Sequence, residues 1–227
     1  MAADDTDIRE RLLDAALPHV AFDGWTALTF DAAIRDTGVA PGLARGLCPR
    51  GAVDLAIAYH RRGDRRMAER LAQTDLSALR FRDRIAAAVR FRLEAVEDRE
   101  LVRRGMTLFS LPQYAPDGAR LIWETADLIW RSLGDSSEDI NWYTKRATLS
   151  GVYSACVLYW LGDDSEDHAA TWAFLDRRIE DVMRIETFKA NMRANPALSK
   201  LLKGPLDVLG RIRAPKPPGD MPGSWRR

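Results

Sequence analysis

The feature that most constrains this chain is the spacing of its apolar residues. They return every three or four positions along almost the whole length and nowhere sustain the period-two alternation of a half-buried strand. Ile8, Leu12, Ala15, Ala16 and Val20 form a first helical stripe, closed by Phe22-Asp23-Gly24. Thr29 is placed to cap a short second helix that stops at Thr37-Gly38, and a very short third runs from Pro41 to about Leu47. A long fourth extends from about Ala52 to Ala72, and Ile85, Val89, Leu93 and Val96 define a fifth. Leu101 to Leu111 make a sixth that ends at Pro112; after an Ala115-Pro116-Asp117-Gly118 turn, Leu121, Ile122, Thr125, Ile129 and Leu133 mark a seventh. The eighth is expected over about Asp139 to Leu161. Gly162-Asp163-Asp164-Ser165 then ends it and caps a ninth with its stripe at Trp172, Leu175, Ile179, Val182 and Met183. The pattern predicts an all-α bundle, and a 46% apolar, 30% charged chain of 227 residues has the material for its core.

Several function classes fall away on composition. A net charge of +1 excludes a generally basic nucleic-acid binder, though not a local patch. The two cysteines, Cys48 and Cys156, lie far apart in apolar settings, which excludes a disulfide scaffold and a Cys-rich zinc site. No run of 18 apolar residues is present to span a bilayer, and the acidic start resembles neither a secretory signal nor a transit peptide. His19, His60 and His168 are isolated and form neither Glu-x-x-His nor His-x-x-x-His, the spacings that set two metal ligands on one helical face. G-x-S-x-G, the P-loop and G-x-G-x-x-G are missing as well. Acidic pairs such as Glu138/Asp139 and Asp163/Asp164 stand at helix starts and read as caps, and Cys156 amid Ala155, Val157 and Leu158 reads as an inert core thiol. The expectation is a protein without catalytic residues, cofactor or metal.

The first fifty residues resemble the helix-turn-helix of TetR-type regulators: a long helix, a short one, a glycine turn, a tiny third helix and a long fourth. The likeness sits in Val39-Ala40-Pro41-Gly42-Leu43-Ala44-Arg45-Gly46-Leu47-Cys48-Pro49-Arg50. TetR-type recognition segments typically read Val-Ser-x-Gly-Thr-Leu-Tyr-x-x-Phe, with hydroxyls where phosphates are met. Here Ala40 and Leu43 stand at such positions, and neither can donate to a phosphate. Residues 1–60 carry nine acids against five arginines, a net of −4 that a polyanion repels. Nucleic acid is not an expected partner. The cluster Arg61-Arg62-Gly63-Asp64-Arg65-Arg66 reads first as a solvated helix face.

The most informative stretch is Asp139-Ile140-Asn141-Trp142-Tyr143-Thr144-Lys145-Arg146. Helical neighbours point about 100° apart, so of adjacent Trp142 and Tyr143 one should face outward or line a cavity. Arg146, one turn on, can stack on the Trp142 indole. Gly151 and Ser150 leave room for a close helix or a ligand. Together with Thr171-Trp172-Ala173-Phe174-Leu175-Asp176-Arg177-Arg178-Ile179, this segment resembles the coenzyme Q biosynthesis protein nine family, over about Ile8 to Lys189. The resemblance implies a TetR-like fold without DNA binding and an accessory role in ubiquinone biosynthesis. Such a protein holds an isoprenoid quinone intermediate or another lipid in an apolar cavity and presents it to the demethoxyubiquinone hydroxylase. A homodimer and peripheral membrane association are implied too. The family's hydroxylase-contact surface maps onto Trp142 and Tyr143, with Trp130 on the preceding helix as a further candidate; Arg146, one turn from Trp142, is a candidate partner contact from its own position. The family's eukaryotic members carry a mitochondrial presequence that this start lacks. A bacterial cytoplasmic protein at the inner membrane, or a processed form, is therefore expected.

Candidate cavity walls are Leu108, Leu111, Ile122, Trp123, Leu149, Val152, Tyr153, Trp172 and Leu175, each of which serves equally as plain core. From Lys189 onward nine bases face two acids, a net of +7. Leu198, Leu201, Leu202, Leu206, Val208, Leu209 and Ile212 fall on one arc of roughly 160° at helical spacing, with Lys200 and Lys203 opposite. Such a helix lies in an anionic lipid interface or docks on the bundle, with a kink at Gly204-Pro205. The expected organisation is a degenerate helix-turn-helix region over 1–50, a lipid-binding bundle over 51–191, an amphipathic membrane-interface helix over 192–213 and a disordered tail over 214–227. The rival reading is a TetR-like ligand-sensing repressor using the same cavity as an effector site.

Overall fold

A computed structural model describes the backbone of residues 2–194 and the side chains of residues 5–184. The membrane-facing residues expected from Leu198 to Ile212, with Lys200 and Lys203, lie outside the described residues, as does the expected tail. Among the described residues the fold is all-α: α1 (Ala2–Asp23), α2 (Ala27–Thr37), α3 (Pro41–Leu47), α4 (Ala52–Gln73), α5 (Phe81–Glu94), α6 (Arg99–Phe109), α7 (Ala115–Ser132), α8 (Ile140–Leu161) and, after a 3-10 turn at Glu166–His168, α9 (Ala169–Ala194).

Local chemistry sets the ends, with two departures from expectation. Thr26, not Thr29, caps α2 and accepts from Thr29 N; the Thr29 hydroxyl is buried and donates to Gly24 O at 2.6 Å. Gly38 closes α2 at φ 65°, left-handed backbone that suits glycine. The Ala115-Pro116-Asp117-Gly118 segment is the first turn of α7 rather than a turn before it. Proline at that end forfeits an N–H that has no helical partner. Gly118 is needed because a Cβ there would lie 2.8 Å from the Cβ of Phe109. Asp139 caps α8, accepting from Asn141 N. Asp163 accepts from Ser165 N and from both the N–H and the hydroxyl of Thr171, and Ser165 accepts from Ala170 N, so the loop before α9 satisfies its first turn as the sequence suggested.

The interior consists of two apolar clusters. One joins α1, α2, α3 and the start of α4 around Leu12, Leu13, Val20, Phe30 and Leu55, with Leu101 and Leu108 of α6 inserted. The other joins the end of α4 to α5, α7, α8 and α9 around Met67, Val89, Leu93, Ile129, Cys156 and Leu175. Ion pairs cross-link α4 to its neighbours. Arg61 pairs with Glu124, Arg62 with Glu10 and Asp14, Arg65 with Glu10, and Arg66 with Glu97. In the Arg61–Arg66 run, Arg61, Arg65 and Arg66 lie on the solvated face, while Arg62 and Asp64 are buried; all four guanidinium groups are engaged by the chain's own carboxylates.

Candidate functional site

An apolar cavity of about 190 Å³ opens where α4, α5, α6, α7 and α8 converge, beside Trp25. Leu93, Val96, Leu101, Val102, Met106, Phe109, Ile122, Val157 and Trp160 supply its greasy wall, and Leu158, 59% exposed, stands at its opening. An engineered cavity of about 150 Å³ lined by comparable side chains holds one benzene. This space has the volume of one substituted six-membered ring or a short run of aliphatic carbons.

Of the nine expected wall residues, Ile122 and Tyr153 line this cavity. Leu149, Val152 and Leu175 are fully packed in the second apolar cluster and Leu108 in the first, so these four are core. Leu111 is a correction of another kind: it follows α6 and is 42% exposed. Trp123 faces the α8 aromatics, and Trp172 packs near His168 with its N–H donating to Asp167 O. Trp172 and Leu175 lie on α9, which contributes no residue to the lining; the cavity is walled by α4 to α8 and their flanks.

Part of the cavity's lining is polar. His60 and Arg92 line it with Tyr59 and Tyr153. Arg92 Nε donates to Asp64 Oδ1 at 2.6 Å and its Nη2 to His60 O at 3.0 Å; the pair is buried, with 5% and 8% of the two side chains exposed. The Thr125 hydroxyl lies 2.9 Å from Asp64 Oδ1 and 2.8 Å from His60 Nε2. Burial, reinforced by the Arg92 charge, holds the His60 pKa well below its ordinary value, so the imidazole is neutral. Burial raises Asp64 while Arg92 and Thr125 oppose the rise. Gly63 makes the arrangement possible: a Cβ there would stand 2.6 Å from the Arg92 guanidinium. A signal was present in the sequence. Ala56, His60, Asp64, Met67 and Leu71 share one helical face, as do Val89, Arg92 and Val96, so three polar groups interrupt core stripes.

A second feature lies at the start of α8. Trp142 and Tyr143 meet edge to face with centroids 4.8 Å apart, and both pack on Trp123 at 5.8 and 6.5 Å. Neither points cleanly outward; both are half-buried in one aromatic patch. Arg146 does stack on Trp142, at 4.1 Å from the ring centroid. It is also 1% exposed, donates to Asp127 at 2.6 Å, Asp135 at 3.0 Å and Trp142 O at 3.1 Å, and so holds the patch from beneath instead of offering a contact. Burial would raise the Asp135 carboxyl, but hydrogen bonds from Lys145, Ser137 and Arg146 bring it down to about 2. Trp130 is likewise structural: it is 8% exposed, donates to Lys145 O and packs against Phe81.

Elsewhere the chemistry is quiet. Burial pushes the Cys156 thiol up to about 12, and no group of three His, Cys, Asp or Glu among the described residues is placed to hold a metal. No helix of the described residues is long and apolar enough to cross a membrane. On α3, the Ala40 cap makes no side-chain hydrogen bond, Leu43 is 44% exposed, and Arg45 lies 3.6 Å from Asp31.

A family model described as COQ9 matches residues 115–186, which carry the α8 aromatic patch. The chain is 33% identical over 184 residues to the mitochondrial ubiquinone biosynthesis protein COQ9 of Drosophila melanogaster, a match that covers 79% of this chain and 56% of that protein. It is 30% identical over 212 residues to its counterpart from Rattus norvegicus, with 88% and 67% covered. Among solved structures, a TetR transcriptional regulator from Nitrosomonas europaea superposes with a TM-score of 0.63 at 19% identity, over 77% of this chain and 97% of that one. The chain thus spans a little over half the length of one relative and two thirds of the other. It belongs to the COQ9 family and has a TetR-like fold.

Proposed function

We propose that this chain acts in ubiquinone biosynthesis as a non-catalytic lipid-binding accessory protein. It takes an isoprenoid quinone intermediate into the cavity between α4 and α8 and presents it to the demethoxyubiquinone hydroxylase. The observation that carries the reading is the apolar hollow itself, open at Leu158, in a member of this family. Each CH₂ taken from water contributes roughly 0.8 kcal/mol, so even a short buried segment of an insoluble lipid binds usefully. Trp142 and Tyr143 form the hydroxylase contact in this account, held in place by Arg146. The basic amphipathic stretch from Leu198 to Ile212 brings the protein, as a homodimer, to the inner membrane surface of a bacterium.

The α3 surface supports the absence of DNA binding, because its exposed positions offer a leucine and one arginine already facing an aspartate. The test is extraction of the purified chain with organic solvent followed by mass spectrometry. A quinone or isoprenoid lipid in near-stoichiometric amount is expected; an extract without lipid overturns the proposal. A low-salt gel shift over genomic DNA separates it from the repressor reading, for which a discrete shifted band is required.

A further inference from the structure

A second recess, of about 550 Å³, is lined by α1, the end of α3 and the turn after it, α4 and the start of α7, and shares only Leu121 with the lining of the apolar cavity. Arg9 comes from α1, Arg50 from the turn before α4, Arg61 and Arg65 from α4 and Arg120 from α7. Five guanidinium groups from four segments thus meet three lining carboxylates, those of Glu10, Asp54 and Asp117. Their pairing leaves donors over. Glu124 serves both Arg61 and Arg120, at 3.0 and 2.8 Å, and Glu10 serves both Arg65 and the buried Arg62, each at 2.6 Å. Arg9 donates to Leu47 O at 3.0 Å and makes no ion pair among the described residues. A guanidinium carries five N–H donors, so two of them on one carboxylate depend on water for the rest, and a bound anion can replace that water. Leu47, Pro49, Ile57 and Ala58 add an apolar side to the same recess.

We propose that this recess binds a phosphate ester, with arginines of the lining, Arg9 and Arg120 among them, donating to its phosphoryl oxygens and its organic body lying on the apolar side. The site is independent of the lipid-binding reading. Arginine forks match phosphate bidentately, and that of Arg61 is already ordered, with Nε and Nη2 both donating to Glu124. A phosphate monoester carries nearly two charges at neutral pH and three acceptor oxygens, more than the carboxylate that Arg61 and Arg120 now share. The ion pairs that must rearrange are exposed and contribute little in water, so exchange of partner is not strongly opposed. The volume lies within the range of small-ligand sites and exceeds what a bare phosphate ion fills. The lining carboxylates disfavour an extended polyanion, whose neighbouring charges would meet them, and leave a compact anion as the fitting class.

The test is isothermal titration of the full chain with phenyl phosphate, inorganic phosphate and benzoate. Phenyl phosphate should bind saturably, more tightly than either of the others, and more weakly as salt is raised. Arg9→Gln and Arg120→Gln, the latter at a side chain 71% exposed, should each weaken it by about tenfold, the worth of a hydrogen bond to a charged group. Glu124→Gln should act in the opposite direction and tighten binding, because it releases Arg61 and Arg120 together; a merely structural role for these residues predicts no gain. Arg80→Gln, outside the recess, should change nothing, and circular dichroism verifies the fold of each variant. Flotation with phosphatidylcholine vesicles, with and without phosphatidic acid, identifies the source of the phosphate. Loss of flotation in Arg120→Gln assigns a lipid head group, and retained flotation a soluble ester. No saturable binding of phenyl phosphate, benzoate or inorganic phosphate binding as tightly, titrations unmoved by the arginine variants, or a Glu124→Gln chain that binds no tighter overturns the site and leaves the lipid-binding reading in place.

Discussion

Replacing Arg92 by methionine tests the buried polar cluster beside the cavity most severely, because the Asp64 carboxylate is buried and Arg92 is the cation in contact with it. Removing one partner of a buried pair typically costs about 3–5 kcal/mol, since it strands the other charge. Here an upper bound follows from proton uptake. Once the stranded charge costs more than neutralisation, the site takes a proton, on Asp64 itself or on His60 at 3.7 Å. Protonating an aspartate of ordinary pKa near 3.9 at pH 7 costs about 4 kcal/mol, at roughly 1.4 kcal/mol per pH unit. The deficit of Arg92→Met relative to wild type should therefore be about 3–4 kcal/mol at pH 7. It should shrink by roughly 1.4 kcal/mol for each unit of acidification, because the variant's folded state holds a proton its unfolded state lacks. Adding Asp64→Asn, which removes the stranded charge and keeps an acceptor for Thr125, should recover most of the loss. Urea melts at pH 7, 6 and 5 measure all three values. A deficit independent of pH, or a double variant no better than the single one, would refute the claim that Arg92 and Asp64 form a buried, mutually neutralised pair.

Other expectations follow from neighbouring geometry. Gly63→Ala should destabilise by about 1–3 kcal/mol despite alanine's better helix propensity, because its Cβ displaces the Arg92 guanidinium; a gain in thermal midpoint would contradict the close approach. Arg146→Met should cost about 2–4 kcal/mol and release the Trp142 ring, seen as a shifted and more quenchable tryptophan emission, since Asp127, Asp135 and the Trp142 carbonyl all lose a donor. Acid should act in two windows. His60 is held neutral in the fold, so stability is complete above about pH 6.5 and declines below it as the unfolded chain takes up the proton. Asp135, depressed to about 2, adds stability above about pH 4 that is lost as pH falls toward 2. His60→Asn should flatten the first window only.

The helices were readable because their apolar stripes reflect the core directly. Leu12, Val20, Val89, Leu93, Ile129, Leu175 and Ile179 are all buried where the period places them. The α8 motif was readable as aromatics beside a cation, and the Trp142–Arg146 stack followed from helical spacing. Burial of Arg146 did not follow, because Asp127 and Asp135 that draw it inward come from α7 and the loop after it, and spacing within one helix carries no information about them. The cavity failed for a related reason. A wall residue and a core residue have the same side chain, and only the convergence of five helices decides which leucine faces a void. What does distinguish the site is polarity at core positions, and His60, Asp64 and Arg92 carried that mark on stripes that were otherwise apolar. The Pro116-Gly118 turn misled because proline in a first helical turn and proline in a loop look alike without knowledge of what approaches the glycine.

The most direct measurement is a crystal structure of the chain grown with a dimethoxybenzoquinone carrying one isoprene unit. Density for the quinone is predicted inside the cavity, against Leu93, Met106 and Ile122, with the Arg92–Asp64 pair intact. A cavity closed by its own side chains, or a quinone bound only on the Trp142–Tyr143 patch, would contradict it.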